Sequence, residues 1–116
     1  MPFLRKSASL HWTVHSREKM RYYRLSEGRV KRILHSPRRI EEGIAPDTLA
    51  MMQPASLKTT AGTASWNQEI WVMIQDMKGR RKVISAWRYP GVTKPRDEIT
   101  TQFLKDQYKE YLKKWS

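Results

Sequence analysis

Three groups of residues carry side chains suited to chemistry on a polyanion. In HSREKMRYYRL, residues 15–25, His15 has an imidazole that titrates near neutrality and can give or take a proton. Lys19 stands one helical turn further on, on the same side. Arg17, Arg21 and Arg24 follow an i, i+4, i+7 stripe, a row of guanidinium forks suited to phosphates. Trp87-Arg88-Tyr89 joins two aromatic rings to a guanidinium at the end of a strand, where unpaired bases and phosphates could be held. These residue types meet the needs of a metal-independent ribonuclease. RNA brings its own 2′-hydroxyl as nucleophile, so the protein has only to move protons and place positive charge against the developing phosphorane. On this reading His15, Lys19 and Arg88 are the catalytic candidates. Arg17, Arg21, Arg24, Arg32, Trp87 and Tyr89 are the RNA-binding candidates, and no cofactor or metal is expected.

Each candidate also has a plainer reading. His15 could hydrogen-bond a backbone group and fix the first turn of a helix, and Lys19 could be a solvated helix lysine. Trp87 could be core packing beside Val83 and Ser85. On a regular strand Arg88 points away from Trp87 and Tyr89, so the three share a groove only where the strand twists or ends. The chain has no cysteine, which removes disulfides, thiolate chemistry and the strongest zinc ligands. His11, His15 and His35 make a metal site only if folding gathers them. No glycine-rich phosphate loop or nucleophile elbow is present, and Glu41-Glu42 alternates faces and reads as strand surface.

Charge is the dominant compositional signal. The 116 residues carry 23 Lys and Arg against 11 acids, a formal charge of +12, and the isoelectric point is near 10.3. Residues 1–39 hold eleven basic residues against Glu18 and Glu27, whereas residues 40–116 hold twelve against nine. The field is therefore concentrated in the first third, where it attracts polyanions over about a Debye length. RNA or the ribosome, or an acidic antitoxin-like protein, are the partners such a field fits. A membrane surface is not, because no helix pairs a basic face with a broad exposed apolar one. The absence of a secretory apolar run and of cysteine points to the cytoplasm. Five tryptophans argue for a folded chain, and the length fits one domain over 1–116. The oligomeric state is left open.

The elements that must position these residues follow from local pattern. Residues 9–14 alternate weakly and predict a short strand; residues 16–24 have helix-forming composition, with Met20 and Tyr23 on the core side. Ser26 is an expected N-cap, Glu27 favours the positive end of the helix dipole, and Val30, Ile33 and Leu34 form the apolar stripe of a second helix that Pro37 ends. Residues 38–44 and 48–53 predict strands around the Ala45-Pro46-Asp47 break. Residues 54–65 read as a long loop poor in core residues. EIWVMIQ and RKVISAWRY, residues 69–75 and 81–89, predict a hairpin around Gly79 at the centre of the sheet. In its first strand Ile70, Val72 and Ile74 oppose Trp71 and Met73, so both faces should be covered. In its second, Val83, Ser85, Trp87 and Tyr89 should alternate with Ile84, Ala86 and Arg88. Residues 97–115 predict a helix with Leu104, Tyr108, Tyr111, Leu112 and Trp115 along one stripe.

The run H-S-R-E-K-M, then R-L-S, V-K-R-I-L-H-S-P and E-E-G, resembles the pattern H-A-x-x-R-M-x-x-R-x-I-S-x-x-x-V-x-x-x-L-x-x-P of a small bacterial domain family of unknown function close to BrnT-type toxins. The matching positions are His15, Met20, Leu25, Ser26, Val30, Leu34 and Pro37, and VISAW at 83–87 is similar to the closing strand of BrnT proteins. Lys19 and Tyr23 stand where the pattern has arginines. The resemblance spans about residues 10–90. It implies a RelE/BrnT-like α+β domain: two short N-terminal helices packed on a mainly antiparallel three- to four-stranded sheet, plus a C-terminal amphipathic helix. The function expected is an RNA-interacting domain, in one form a toxin-type endoribonuclease. The alternatives are a noncatalytic RNA- or ribosome-binding module and a protein-interaction domain for an acidic antitoxin-like partner. Fold alone does not choose among them.

Overall fold

A computed structural model describes residues 9–114. Trp115, the last residue of the expected helical stripe, lies outside them. The chain runs β1 (Ser9–Trp12), α1 (Val14–Tyr23), α2 (Glu27–His35), β2 (Arg39–Glu42), β3 (Thr48–Pro54), β4 (Lys58–Thr60), β5 (Thr63–Ser65), β6 (Glu69–Met77), β7 (Arg80–Tyr89) and α3 (Glu98–Lys114). It is a mixed fold of three helices and a mainly antiparallel sheet with a C-terminal helix. The main sheet has five strands in the order β1-β7-β6-β3-β2, where three or four were expected. The strand expected over residues 9–14 is β1, which runs parallel to β7 and pairs Ser9–Trp12 with Arg80–Val83.

Caps set the two N-terminal helices. Thr13 accepts the amide of Ser16 and donates its hydroxyl to the carbonyl of Val83 at 2.7 Å, so one side chain starts α1 and fastens it to β7. At the other end Arg24 takes a left-handed conformation (φ 58°), and Leu25 N–H returns to Met20 O at 2.8 Å. Ser26 caps α2 as its sequence predicts, accepting the amide of Arg29 at 3.0 Å.

The helices cover both faces of the sheet. Met20, Leu25, Val30 and Ile33 from α1 and α2 pack with Met51, Ile70, Val72, Ile74, Val83 and Ala86. On the opposite face Leu104 and Tyr111 of α3 pack with Ala50, Met52, Trp71, Met73, Ile84 and Trp87. Trp71, Trp87 and Phe103 stack in series there, with centroids 6.1 and 5.9 Å apart.

Four expectations need correction. The strict alternation along β7 fails because Met73 pairs with Ser85 while Ile74 pairs with Val83, which leaves Ile84 as an extra residue in a bulge. Val83 therefore joins the α1/α2 face and Trp87 the α3 face. Residues 54–65 are not an irregular loop: β4 and β5 form a small hairpin whose turn residues Ala61 and Gly62 both have positive φ. Leu112 is 55 % exposed, and the buried stripe of α3 runs through Thr100, Leu104, Gln107 and Tyr111 instead. Glu41 is buried rather than strand surface, paired with Arg39 at 3.1 Å and accepting the amide of Arg96.

Candidate nucleic-acid interface

His15 lies in the first turn of α1 and is 0 % exposed. Its Nε2 meets Oε1 of Gln107 on α3 at 3.1 Å, and the same oxygen accepts the hydroxyl of Ser85 on β7. The ring thus bonds a side chain 92 residues away rather than a nearby backbone group. Among the described residues Nδ1 has no hydrogen-bond partner. Burial in this seam holds the imidazole pKa below its ordinary value, with the Gln107 bond partly opposing and Lys114 and Lys19 assisting the shift. Glu110 acts in the opposite direction. The ring has no open face for a phosphate.

Lys19 points along the same seam, 3.6 Å from Glu110 and 5.7 Å from the ring centre of Tyr23. Glu18 and Lys114 pair beside it. The chemistry-bearing side of α1 is therefore occupied by α3. Arg17 is paired with Glu27 at 2.8 Å and lies over Trp12, so the Arg17–Arg21–Arg24 row is not uniformly free charge. Arg21 and Arg24 remain exposed. Trp87 is 1 % exposed between Trp71 and Phe103, so it offers no ring face to a base. Tyr89 is half-buried edge-on against Phe103.

Arg88 has a different setting. Opposite Trp87 as ordinary alternation requires and paired with Ile70, its side chain lies on the α1/α2 side, where Nε donates to Tyr23 O at 2.8 Å and Nη1 to Gln68 Oε1 at 3.3 Å. Arg29 of α2 reaches the same end of the sheet, donating to Gln53 Oε1 at 2.6 Å and Pro54 O at 3.0 Å. Gln53 is itself held by the carbonyls of Arg32 and Ser36. Burial lowers the pKa of Arg29, and the positive charges of Arg32 and Arg88 lower it further. All of their protein acceptors are neutral. Among the described residues no carboxylate pairs with Arg29, Arg32 or Arg88. Their charge is aimed but not cancelled.

Of the nine candidates, Arg32 and Arg88 belong to this end of the sheet, Arg32 through the bond of its carbonyl to Gln53 and Arg88 through the Gln53–Ile70–Arg88 register, with Arg24 directly following the carbonyl that Arg88 holds. It does not gather His15, Lys19 and Arg88: the first two face α3 and the last faces the α1/α2 layer. Arg29 was missing from the candidate set. Its only local signal is an i, i+3 relation to Arg32, which puts both on one side of α2. Sequence reasoning also missed Glu69, which is 0 % exposed. Its carboxylate accepts from Trp66 Nε1, Trp71 Nε1, and both the amide and the hydroxyl of Thr93 at 2.7–3.1 Å. An acid directly before the apolar run Ile70–Ile74 was the visible clue.

His11, His15 and His35 lie on β1, in the α1–α3 seam and at the end of α2; among the described residues no three His, Asp or Glu side chains come together as a metal site. No helix among them is long and apolar enough to cross a membrane. Comparison with protein families, curated proteins and solved structures finds no match to this chain.

Proposed function

We propose that this protein is an RNA-binding module whose contact surface is the basic end formed by Arg24, Arg29, Arg32 and Arg88. The observation that carries the proposal is that Arg29 and Arg88 are anchored on neutral carbonyl and amide oxygens, with no acid paired to either among the described residues. Such anchoring fixes the direction of an arginine fork while leaving its charge for a phosphate. The charge of +12 adds the long-range attraction. The same proposal places the chain beside BrnT/RelE-like domains, on the strength of the residue pattern that begins at His15. Binding is favoured over cleavage because His15 is enclosed and Lys19 is engaged by Glu110.

Anisotropy titration of a fluorescent single-stranded RNA tests the reading. With three phosphates neutralised, log affinity should fall against log salt with a slope of about −2, a loss of about 20-fold from 50 to 200 mM. A variant with Arg29, Arg32 and Arg88 all changed to Gln should bind more weakly and with a shallower salt response. Salt-independent binding, or no RNA binding at all, refutes the proposal. Cleavage of the RNA in EDTA, abolished by His15→Ala in a protein that still folds, would restore the endoribonuclease reading. Capture of an acidic protein in place of RNA would support the protein-interaction alternative.

A further inference from the structure

The arginine group has a charge and donor pattern that discriminates between kinds of phosphate. A phosphodiester within an RNA strand carries one negative charge and two unesterified oxygens. A phosphomonoester has three such oxygens and a charge of about −1.5 to −2 near pH 7. Against this the protein sets three guanidinium groups, each a planar fork with five N–H donors. Arg29 uses one hydrogen on Nη1 and one on Nη2 for Gln53 and Pro54, so Nε–H and the second hydrogens remain. Arg88 uses Nε and one hydrogen of Nη1, so Nη2 remains wholly available. Arg32 is exposed, and its guanidinium has no polar partner among the described residues. A diester would leave most of this charge uncompensated around the half-buried Arg29, whereas a monoester matches it more nearly in charge and in oxygen count. The nearest backbone adds no competing anion, since Tyr23, Pro54, Gln53 and Gln68 are all neutral acceptors.

Resting on the RNA-binding reading above, we infer that Arg29, Arg32 and Arg88 form a subsite for the terminal phosphomonoester of an RNA strand. Arg29 and Arg88 form its fixed base, and Arg32 closes it from the solvent side. Internal phosphodiesters then bind along the remaining basic surface with lower affinity.

The test uses three RNAs of one ten-nucleotide sequence, carrying a 5′-phosphate, a 3′-phosphate, or hydroxyls at both ends, in competition anisotropy at 150 mM salt. One phosphorylated RNA should bind at least about tenfold tighter than the hydroxyl-ended strand, the scale of a charge-assisted bidentate contact. Arg32→Gln, at an exposed position without protein partners, should remove most of that preference while the fold is kept, as checked by circular dichroism. Arg88→Lys retains the charge but loses the fork, and should reduce the preference as well. Equal affinity for all three RNAs overturns the end-phosphate subsite and leaves the RNA-binding reading standing. Absence of binding to any of the three overturns both.

Discussion

Replacing Glu69 tests how the sheet and the segment before α3 are held together. The carboxylate takes two hydrogens on each oxygen: Trp66 Nε1–H at 2.9 Å and the Thr93 amide at 3.1 Å on Oε2, Trp71 Nε1–H at 3.0 Å and the Thr93 hydroxyl at 2.7 Å on Oε1. Arg39 braces the arrangement from outside, donating to the carbonyl and hydroxyl oxygens of Thr93 and lying 5.0 Å from the ring centre of Trp71. In Glu69→Gln the amide nitrogen is best placed at the Oε1 position, where it can donate to the Thr93 hydroxyl oxygen. That choice leaves the Trp71 indole N–H facing another donor. One buried unpaired donor costs about 1–3 kcal/mol. In Glu69→Leu both indole N–H groups and the Thr93 amide lose their acceptor, and the cost rises to about 3–9 kcal/mol, comparable with the whole stability of a small domain. Urea unfolding followed by tryptophan fluorescence at pH 7 should rank wild type above Glu69→Gln above Glu69→Leu, the second gap at least as large as the first. The indole N–H resonance of Trp71 should move more than that of Trp66 in Glu69→Gln. A Glu69→Leu protein within about 1 kcal/mol of wild type would show that these bonds do not organise the site and refute the reasoning.

Other outcomes follow from the same geometry. The pKa of His15 is depressed in the folded state, so its stabilising contribution is complete above about pH 6.5 and is lost as pH falls below that through the folded-state value. Urea midpoints between pH 7 and pH 5 should therefore drop more steeply for wild type than for His15→Gln; parallel curves would exclude the seam as the acid-sensitive element. Arg24→Gly relieves a left-handed non-glycine cap and should raise stability by about 1 kcal/mol while weakening RNA binding, a pairing that thermal melts and anisotropy can separate. Arg32→Gln should change stability by no more than about 0.5 kcal/mol, whereas Arg29→Gln should cost more because Gln53 and Pro54 O lose their donors. Each of the two should make the salt slope shallower than that of the wild type. Equal slopes in wild type and both variants would remove these arginines from the interface.

Much of the framework is local and therefore readable in the sequence. Ser26 three residues before Arg29, Pro37 after α2, and Gly79 between two apolar runs act over one to four residues, and the structure uses each where it is expected. The two-faced apolar character of Ile70–Ile74 announces a strand covered on both sides before any partner is known. The excess of Lys and Arg in the first third is likewise a property of the sequence, since net charge needs no fold.

The placement of chemistry was decided by tertiary structure. A single extra residue, Ile84, splits Val83 from Trp87, an effect invisible to strict period-two reading because a bulge costs the pattern nothing locally. His15 looks like a helix-start titratable group until Gln107 and Ser85 enclose it, and Glu41 looks like strand surface until Arg39 and the Arg96 amide converge on it. Arg29 acquires meaning only beside Arg88, 59 positions along the chain. Composition could say that this protein attracts anions. Where a phosphate can be held depends on which guanidinium groups the fold leaves without a carboxylate, and that is settled by contacts between segments far apart in sequence.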